Sequence, residues 1–135
     1  MKLALGSAQF GLKYGVANTE GQVSLREATL ILQTAHAQGV RMVDTAIAYG
    51  ESEVTLGEAG VTDWEVVSKL PEMPVSICGT SAVSHWVDQH VMASLDRLKV
   101  NALYGLLLHR PQQLLGEQGN NLYNALLSLR EKGWV

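Results

Sequence analysis

The chain has 135 residues, enough for one ordinary domain with a hydrophobic core. Hydrophobic residues make up 47% of it and charged residues 17%, and the formal net charge is -3, so neither a nucleic acid nor a membrane is expected as its main partner. The single cysteine, Cys78, cannot form an internal disulfide, and we therefore expect a reducing, cytoplasmic location.

Strand and helix patterns alternate four times along the chain. The predicted strands cover residues 3–5, 40–45, 64–68 and 102–108. A helix is predicted after each strand: the first is capped by Ser24 and closed by Gly39, and the second is short and capped by Ser52. The third has the buried stripe Val87, Val91, Leu95 and Leu98, and the fourth carries Leu122, Ala125, Leu126 and Leu129. Loops are predicted after the first strand and from the third strand to Ser84. Trp134 and Val135 are predicted to begin a fifth strand.

The first long helix has a clear predicted start. Ser24 and Glu27 are spaced as a capping box, in which each side chain accepts a hydrogen bond from the other residue's backbone N–H. A stripe of apolar residues follows at helical spacing and is predicted to be buried: Leu25, Ala28, Leu32 and Ala35.

The alternation contains no hairpin signal, so it predicts a single α/β domain over residues 1–135 with a parallel sheet. Two architectures compete, an open doubly wound sheet and a (β/α) barrel. A Rossmann-type sheet would carry Gly-x-Gly-x-x-Gly after its first strand, and the segment from Gly6 to Gly11 lacks the middle glycine. A complete barrel needs about 250 residues. This chain is therefore expected to supply roughly the first half of a (β/α)8 barrel, about four βα units.

Residues with reactive side chains lie at the ends of the predicted strands. Ser7, Asp44, Lys69 and His109 each stand at the C-terminal end of a successive strand, and Tyr49 follows the second one. The carboxyl ends of parallel strands share one edge of a sheet, so these side chains are expected to converge. The pattern therefore predicts an active site at this edge.

A carboxylate, a phenol, an ammonium group and an imidazole form a chemically consistent set. Free tyrosine ionises with a pKa of about 10, too high for easy proton transfer near neutral pH. An adjacent ammonium group favours the phenolate, and a carboxylate keeps that ammonium group charged and oriented. With such neighbours, Tyr49 can act as a general acid toward a carbonyl oxygen while hydride reaches the carbonyl carbon. His109 can donate a hydrogen bond to the same oxygen.

Each residue taken alone has a simpler explanation. An aspartate at a strand end more often makes a turn or caps a helix, and a lone lysine before Leu-Pro is usually a solvated charge. Tyr49 and His109 can serve packing alone. The catalytic interpretation depends on their joint occurrence at matching places in the strand–helix repeat. His85 and His90 are five residues apart and do not share a helix face, so no metal site is predicted.

The segments that carry these residues resemble the motifs of the aldo-keto reductase family. Residues 44–50, Asp-Thr-Ala-Ile-Ala-Tyr-Gly, with Ser-Glu at 52–53 after them, are similar to the family's signature. Val-Ser-Lys at 67–69 and Leu-Leu-His-Arg-Pro at 107–111 resemble its lysine-bearing and histidine-bearing strand ends, and residues 5–11 resemble its first strand end. The resemblance runs through all 135 residues.

This resemblance implies a TIM barrel, the cofactor NADP(H), and reversible reduction of a small-molecule aldehyde or ketone. Carried over by position, the catalytic residues would be Asp44, Tyr49, Lys69 and His109. Tyr49 would donate the proton, and Ser7, Ala8 and Asp44 match family positions near the nicotinamide side of the cofactor. The family's other cofactor residues belong to the second half of the barrel, beyond Val135. We therefore expect the chain alone, as a truncated barrel, to bind NADP(H) weakly or not at all and to have little or no activity.

A half-barrel leaves two open sheet edges and an uncovered concave face, both of which favour association. The apolar segments 40–43 and 106–108 would contribute to that face, so we expect two copies to pair as a homodimer. The alternative to an enzyme is a non-catalytic protein of the same descent, either a self-associating half-barrel or a nucleotide-sensing subunit.

Overall fold

The computed structural model of the protein describes residues 3–135, so Met1 and Lys2 of the predicted domain lie outside it. Along the chain it contains β1 (Ala4–Gly6), α1 (Ala8–Gly11), α2 (Leu25–Ala37), β2 (Met42–Asp44), α3 (Ser52–Ala59), β3 (Glu65–Leu70), α4 (Thr80–Leu98), β4 (Gly105–Leu108), a 3-10 helix (Pro111–Leu115) and α5 (Gly119–Glu131). Within residues 3–135, no helix is both long and apolar enough to cross a membrane.

The four strands form one parallel sheet in the order β1-β2-β3-β4. Each strand pairs with the next strand along the chain, as in a barrel, whereas the chain of a doubly wound sheet reverses its strand order. The register places Asp44 between Gly6 and Val67, and Lys69 beside Leu107. The prediction of an α/β half-barrel with a parallel sheet is confirmed.

The strand ends differ from the prediction by a few residues. The third strand is predicted to stop at Ser68, whereas β3 continues to Leu70 and includes Lys69. Pairing continues because Ile47 N–H donates to Lys69 C=O at 3.2 Å and His109 N–H donates to Leu70 C=O at 2.9 Å. Both β2 and β4 are shorter than predicted.

Two segments predicted as loops contain helical turns. Helix α1 begins directly after Ser7, and α4 begins at Thr80, ahead of the predicted loop end at Ser84. The predicted cap of α3 is also wrong, because the N-cap is Glu51 and its side chain makes no capping bond. Ser52 is instead a buried residue of the first turn, where its hydroxyl binds the end of β1.

Helix α2 begins as predicted at Ser24. The Oγ of this serine accepts a hydrogen bond from Glu27 N–H at 3.3 Å, which is one half of the predicted capping box. Ala28 and Leu32 are buried, whereas Leu25, in the first turn, is 44% exposed. The buried stripe of this helix is therefore shorter than predicted.

The hydrophobic core lies between the sheet and the layer of helices. In β3, Val66 and Leu70 are buried in this core, while Val67 and Lys69 alternate with them on the more open face. Neighbouring helices α2 to α5 pack against each other in sequence order. The predicted stripe of α4 is buried along its whole length: Val87, Val91, Leu95 and Leu98. The sheet thus has one packed face and one open face, and Lys69 lies on the open one.

The fourth strand is not covered on both faces, although its apolar sequence is typical of a covered parallel strand. Leu107, within β4, is 49% exposed, and Tyr104, just before it, is 57% exposed. β4 is an edge strand, so an apolar groove stays open along β4, the 3-10 helix and α5. We call it the β4–α5 groove; its apolar lining includes Leu106, Leu107, Leu114, Tyr123, Leu126 and Leu127.

The last residues run beside the segment that leads into β4. Trp134 C=O accepts a hydrogen bond from Leu103 N–H at 2.9 Å, and Trp134 N–H donates to Leu129 C=O at 3.0 Å. The structure assigns no strand to residues 134–135, and the start of a fifth strand there stays a prediction.

Helices α3 and α4 approach each other closely at Gly57. A Cβ atom at this position would lie 2.1 Å from the backbone oxygen of Arg97, so only glycine permits the contact. Helix α4 then ends at Leu98, and its C-cap residue, Lys99, is left-handed, with a φ of 56° and a ψ of 40°. A non-glycine residue in this conformation is uncommon, because its Cβ crowds the backbone.

Candidate active site

Lys69 is the centre of a polar cluster at the carboxyl edge of the sheet. Its Nζ donates to Asp44 Oδ2 at 2.7 Å and to the backbone oxygen of Thr45 at 2.8 Å. Asp44 ends β2, and Lys69 lies near the end of the adjacent β3. The lysine side chain is 16% exposed and the aspartate side chain 38%, so partial shielding from water strengthens their attraction relative to a fully exposed pair.

Tyr49 lies beside this ion pair, in the turn between β2 and α3. Its N–H donates to Ala46 C=O at 3.0 Å, and its C=O accepts from Ser52 N–H at 3.1 Å, so the backbone of the turn is held at both ends. Lys69 Nζ is 5.1 Å from the centroid of the Tyr49 ring, which is within the range of a cation–π contact. The ammonium charge is therefore held close to the phenol.

His109 lies on the same edge, directly after β4. Its N–H donates to Leu70 C=O at 2.9 Å, which fixes its backbone against β3. The imidazole meets the Tyr49 ring edge to face, with centroids 6.0 Å apart and planes at 87°. The structure thus brings Asp44, Tyr49, Lys69 and His109 together. Their catalytic roles stay predictions.

The turn that carries Tyr49 presses against α1. A Cβ atom at Gly11 would lie 1.8 Å from Tyr49 O and 2.2 Å from Ser52 N. Gly50 has a φ of 56°, and a Cβ atom there would lie 2.5 Å from Gly11 O. Both positions therefore require glycine, and the close contact sets the distance between the Tyr49 turn and the end of β1.

Ser7, Thr45 and Ser52 form a hydroxyl cluster behind this turn. Ser52 Oγ lies 2.8 Å from Ser7 O, 2.9 Å from Ser7 Oγ and 3.1 Å from Thr45 Oγ1. Ser7 Oγ also donates to the backbone oxygen of Asp44 at 3.0 Å. All three hydroxyl residues are 0% exposed, so the cluster pairs its own groups and joins the first turn of α3 to the ends of β1 and β2.

The three residues predicted to contact a cofactor lie in different environments. The Ser7 hydroxyl is buried in the hydroxyl cluster, whereas Ala8, the first residue of α1, is partly exposed. Asp44 uses Oδ2 for Lys69, and its Oδ1 has no hydrogen-bond partner among residues 3–135. Ala8 and Asp44 therefore fit a contact with the reacting end of NADP(H). Ser7 does not, because it is fully buried, its N–H donates to Asp44 C=O at 3.0 Å, and its C=O accepts from Phe10 N–H and Ser52 Oγ. The cofactor roles stay predictions.

Glu53 is a buried residue for which the sequence predicted no role, although it belongs to the segment that resembles the family signature. It is 1% exposed and accepts four hydrogen bonds. Oε1 accepts from Ser68 Oγ and Ser94 Oγ, each at 2.6 Å, and Oε2 accepts from Arg97 Nε at 2.9 Å and Nη2 at 2.7 Å. An acidic residue in the first turn of a helix usually faces solvent and interacts favourably with the helix dipole. The position of Glu53 in the sequence therefore does not indicate that it is buried.

No metal site is evident in the part of the chain that the structure describes. Among residues 3–135, there is no group of three or more His, Cys, Asp and Glu side chains placed to hold a metal ion. Nor does any buried side-chain nitrogen or oxygen in this range lack a hydrogen-bond partner. The polar groups near the carboxyl edge are thus either paired with one another or accessible to solvent.

A parallel half-barrel with this polar cluster at its carboxyl edge defines the class of protein. The sequence profile of the Aldo/keto reductase family matches residues 2–135, and the chain belongs to that family of oxidoreductases. No curated protein sequence is similar enough to match the chain.

Solved structures share the fold. A "putative aldo-keto reductase" from Pseudomonas aeruginosa is 29% identical, with a TM-score of 0.75 over 97% of this chain. A second structure from the same organism, with the same description, is 25% identical, with a TM-score of 0.74 over 97%. A "putative 2,5-diketo-D-gluconic acid reductase B" is 26% identical, with a TM-score of 0.61 over 98%. The chain spans 51%, 50% and 41% of these three proteins, about half their length or less.

Proposed function

We propose that this chain provides the proton-transfer half of an NADP(H)-dependent aldo-keto reductase that reduces an aldehyde or ketone. The observation that carries the proposal is the position of Lys69 Nζ, 2.7 Å from Asp44 Oδ2 and 5.1 Å from the centroid of the Tyr49 ring. A solvated lysine or a packing tyrosine does not require this arrangement, whereas an ammonium group held near a phenol favours proton donation by it. Membership of the aldo-keto reductase family supports the same chemistry.

Tyr49 is the proton donor in this proposal. When bound, NADPH supplies the hydride that reduces the carbonyl carbon. The O–H bond of Tyr49 breaks and its proton passes to the carbonyl oxygen, so the product is an alcohol and Tyr49 is left as a phenolate. The Lys69 ammonium group stabilises this negative charge, and Asp44 holds the ammonium group in place.

His109 orients the substrate in this proposal. Its side chain is exposed and lies edge-on to the Tyr49 ring, with centroids 6.0 Å apart. An imidazole N–H at this place can donate to the carbonyl oxygen that Tyr49 protonates. Two donors on one oxygen restrict the orientation of the carbonyl group and favour attack on its carbon.

The chain alone is expected to supply only part of the cofactor site. It spans about half the length of its solved relatives from Pseudomonas aeruginosa, at 51% and 50%. Of the predicted contact residues, Ser7 has its hydroxyl buried in the hydroxyl cluster. We therefore expect weak NADP(H) binding or none, and little or no turnover by the chain alone. A cytoplasmic location suits its free, exposed thiol at Cys78.

Replacing Tyr49 with phenylalanine tests the donor role. Tyr49→Phe keeps the ring and removes the hydroxyl, so residual reduction of an aromatic aldehyde by concentrated protein should fall about 100-fold or more. NADPH binding, followed by fluorescence titration, should stay at the wild-type level. Tyr123→Phe, in α5 and 54% exposed in the wild type, is the matched control and should change neither quantity. Full activity in Tyr49→Phe would exclude this residue as the donor.

A self-associating half-barrel is the second candidate, and the β4–α5 groove favours it. Leu107, Tyr123 and Leu127 are 49%, 54% and 42% exposed beside one another in this groove. Contiguous exposed apolar surface commonly marks an interface, and the edge strand β4 adds backbone groups available for pairing. Burial of the groove by a second copy would give a homodimer. The NADPH titration also bears on this candidate, because a non-catalytic half-barrel requires no cofactor binding, whereas a nucleotide-sensing subunit does.

A further inference from the structure

The carboxylate of Glu53 connects three elements beneath the proposed active site. It lies in the first turn of α3, and its donors come from β3 at Ser68 and from α4 at Ser94 and Arg97. With 1% exposure, it is the one charged side chain among the buried residues of the range 3–135. Burial of a carboxylate is costly unless its oxygens are fully paired, and here all four bonds are short and directed at both oxygens.

The hydrogen bonds of Glu53 link the two segments that carry Lys69 and Tyr49 of the proposed site. Ser68 directly precedes Lys69 on β3, with its side chain on the packed face and that of Lys69 on the open face. Glu53 lies four positions after Tyr49, and Ser52 between them is tied to Ser7 and thus to the end of β1. A displacement of β3 relative to α3 would therefore change the distance between the ammonium group and the phenol.

Stability alone is a weak explanation for a buried charge of this kind. Replacement of a buried ion cluster by well-packed apolar residues is often neutral or stabilising, because the cost of removing the charges from water is then avoided. Apolar packing does not provide a hydrogen bond directed from one particular donor atom to one particular acceptor atom. The Ser68–Glu53 bond of 2.6 Å fixes the position of β3 along α3 in this way.

We propose that Glu53 is a positioning residue, which acts through Ser68 to hold Lys69 in place beside Tyr49. The inference rests on the proposed function for its purpose, since it assigns a role to the geometry of that site. The chemical effect is indirect, because Glu53 is buried and its hydrogen bonds go to Ser68, Ser94 and Arg97, not to Asp44, Lys69 or His109.

Ser68→Ala and Ser94→Ala form a matched pair of variants. Each removes one hydroxyl that donates to Glu53 Oε1 at 2.6 Å, and each site is 0% exposed in the wild type. Only Ser68 lies on the strand that carries Lys69. If the cluster serves stability alone, both variants should lose a similar part of their thermal stability, and neither should change the ion pair at Lys69.

The test is nuclear magnetic resonance of the full chain with 15N-labelled lysine, without cofactor or substrate. In the wild type, the bonds from Lys69 Nζ to Asp44 and Thr45 should slow exchange with water, so an ammonium cross-peak should be visible. A Lys69→Arg variant identifies the peak. The proposal predicts loss of this peak in Ser68→Ala and its retention in Ser94→Ala. Retention in both variants, or loss in both, would overturn it.

A second substitution keeps the test usable if Ser68→Ala does not fold. Ser68→Cys retains a weak donor to Glu53 and a similar shape, and the proposal predicts a broadened peak; an unchanged peak would overturn it. The readout needs no turnover. Full activity in Tyr49→Phe would count against the proposed function and leave this result intact, whereas an unaffected Lys69 peak would refute the positioning role and leave Tyr49 as donor untouched.

Discussion

At the scale of single residues, the two glycines at the Tyr49 turn are as constrained as the polar side chains. Gly11→Ala would place a methyl group 1.8 Å from Tyr49 O and 2.2 Å from Ser52 N, both backbone atoms that cannot move without displacing the turn. We expect the free energy of unfolding to fall by about 2 kcal/mol or more, as for other overpacked sites. Urea unfolding of the two proteins measures the difference.

Gly6→Ala is the control for this prediction. Gly6 is exposed in β1, and a Cβ atom there would have no heavy atom within 4 Å. Its backbone is not left-handed, so alanine should be neutral or slightly stabilising through the unfolded chain. Equal losses in the two variants would show that the close contact at Gly11 is not the cause.

Single residues were predictable where chemistry and position coincide. Asp44, Lys69 and His109 stand at strand ends, and the topology brings them to one edge. Glu53 could not be found in this way. Its burial depends on donors from Ser68 and from α4, which are distant in sequence and brought together only by the packing of α3.

At the scale of elements, the end of α4 offers a direct test of backbone conformation. Lys99 is exposed and has a φ of 56°. Lys99→Gly should remove the steric cost of a Cβ in this conformation, and the greater freedom of glycine in the unfolded chain should offset part of the gain. We expect the free energy of unfolding to rise by about 0.5 kcal/mol, measured by urea unfolding.

Lys99→Ala is the matched control, because it removes the same charged side chain and keeps the Cβ. It should not gain the stability that glycine provides. If the alanine variant were as stable as the glycine variant, the effect would belong to the lysine side chain and not to the backbone.

Element types were easier to predict than element ends. Helix α4 repeats its apolar residues over many turns, so its buried stripe was predictable from Val87 to Leu98. The end of β3 was not, because its last residues pair with the turn after β2 and with His109, contacts that depend on the assembled sheet. Exposure of β4 was missed for a similar reason, since an apolar run does not reveal whether a neighbour covers it.

At the scale of the whole molecule, self-association is the property to measure. If two copies bury the β4–α5 groove, light scattering should give a concentration-dependent mass above the 14.6 kDa of one chain. Leu127→Lys should shift this equilibrium toward the monomer. Loss of two leucine contacts, at roughly 1.5 kcal/mol each, would weaken a symmetric dimer about 100-fold.

Leu30→Lys is the control for this substitution. Leu30 lies in α2, outside the groove, and is 54% exposed. The same charge introduced there should leave the equilibrium unchanged. A wild-type protein that is monomeric at every concentration would contradict the homodimer proposal.

The architecture was predictable because alternation, strand spacing and the missing glycine motif all favour a barrel-type order. Pairing of each strand with the next then follows from short connections and the handedness of βα units. The open groove beside β4 could not be predicted in the same way, because it depends on which surfaces remain without a neighbour among residues 3–135.

The contact between Gly57 and Arg97 has a consequence for how such a sequence can diverge. Arg97 meets α3 twice, with its backbone oxygen against Gly57 and its guanidinium group on Glu53. A larger residue at position 57 would move α4 away and lengthen the bonds to Glu53 at the same time. Selection should therefore act jointly on positions 53, 57 and 97. Homologous sequences that lack glycine at position 57 should also lack the Glu53–Arg97 ion pair.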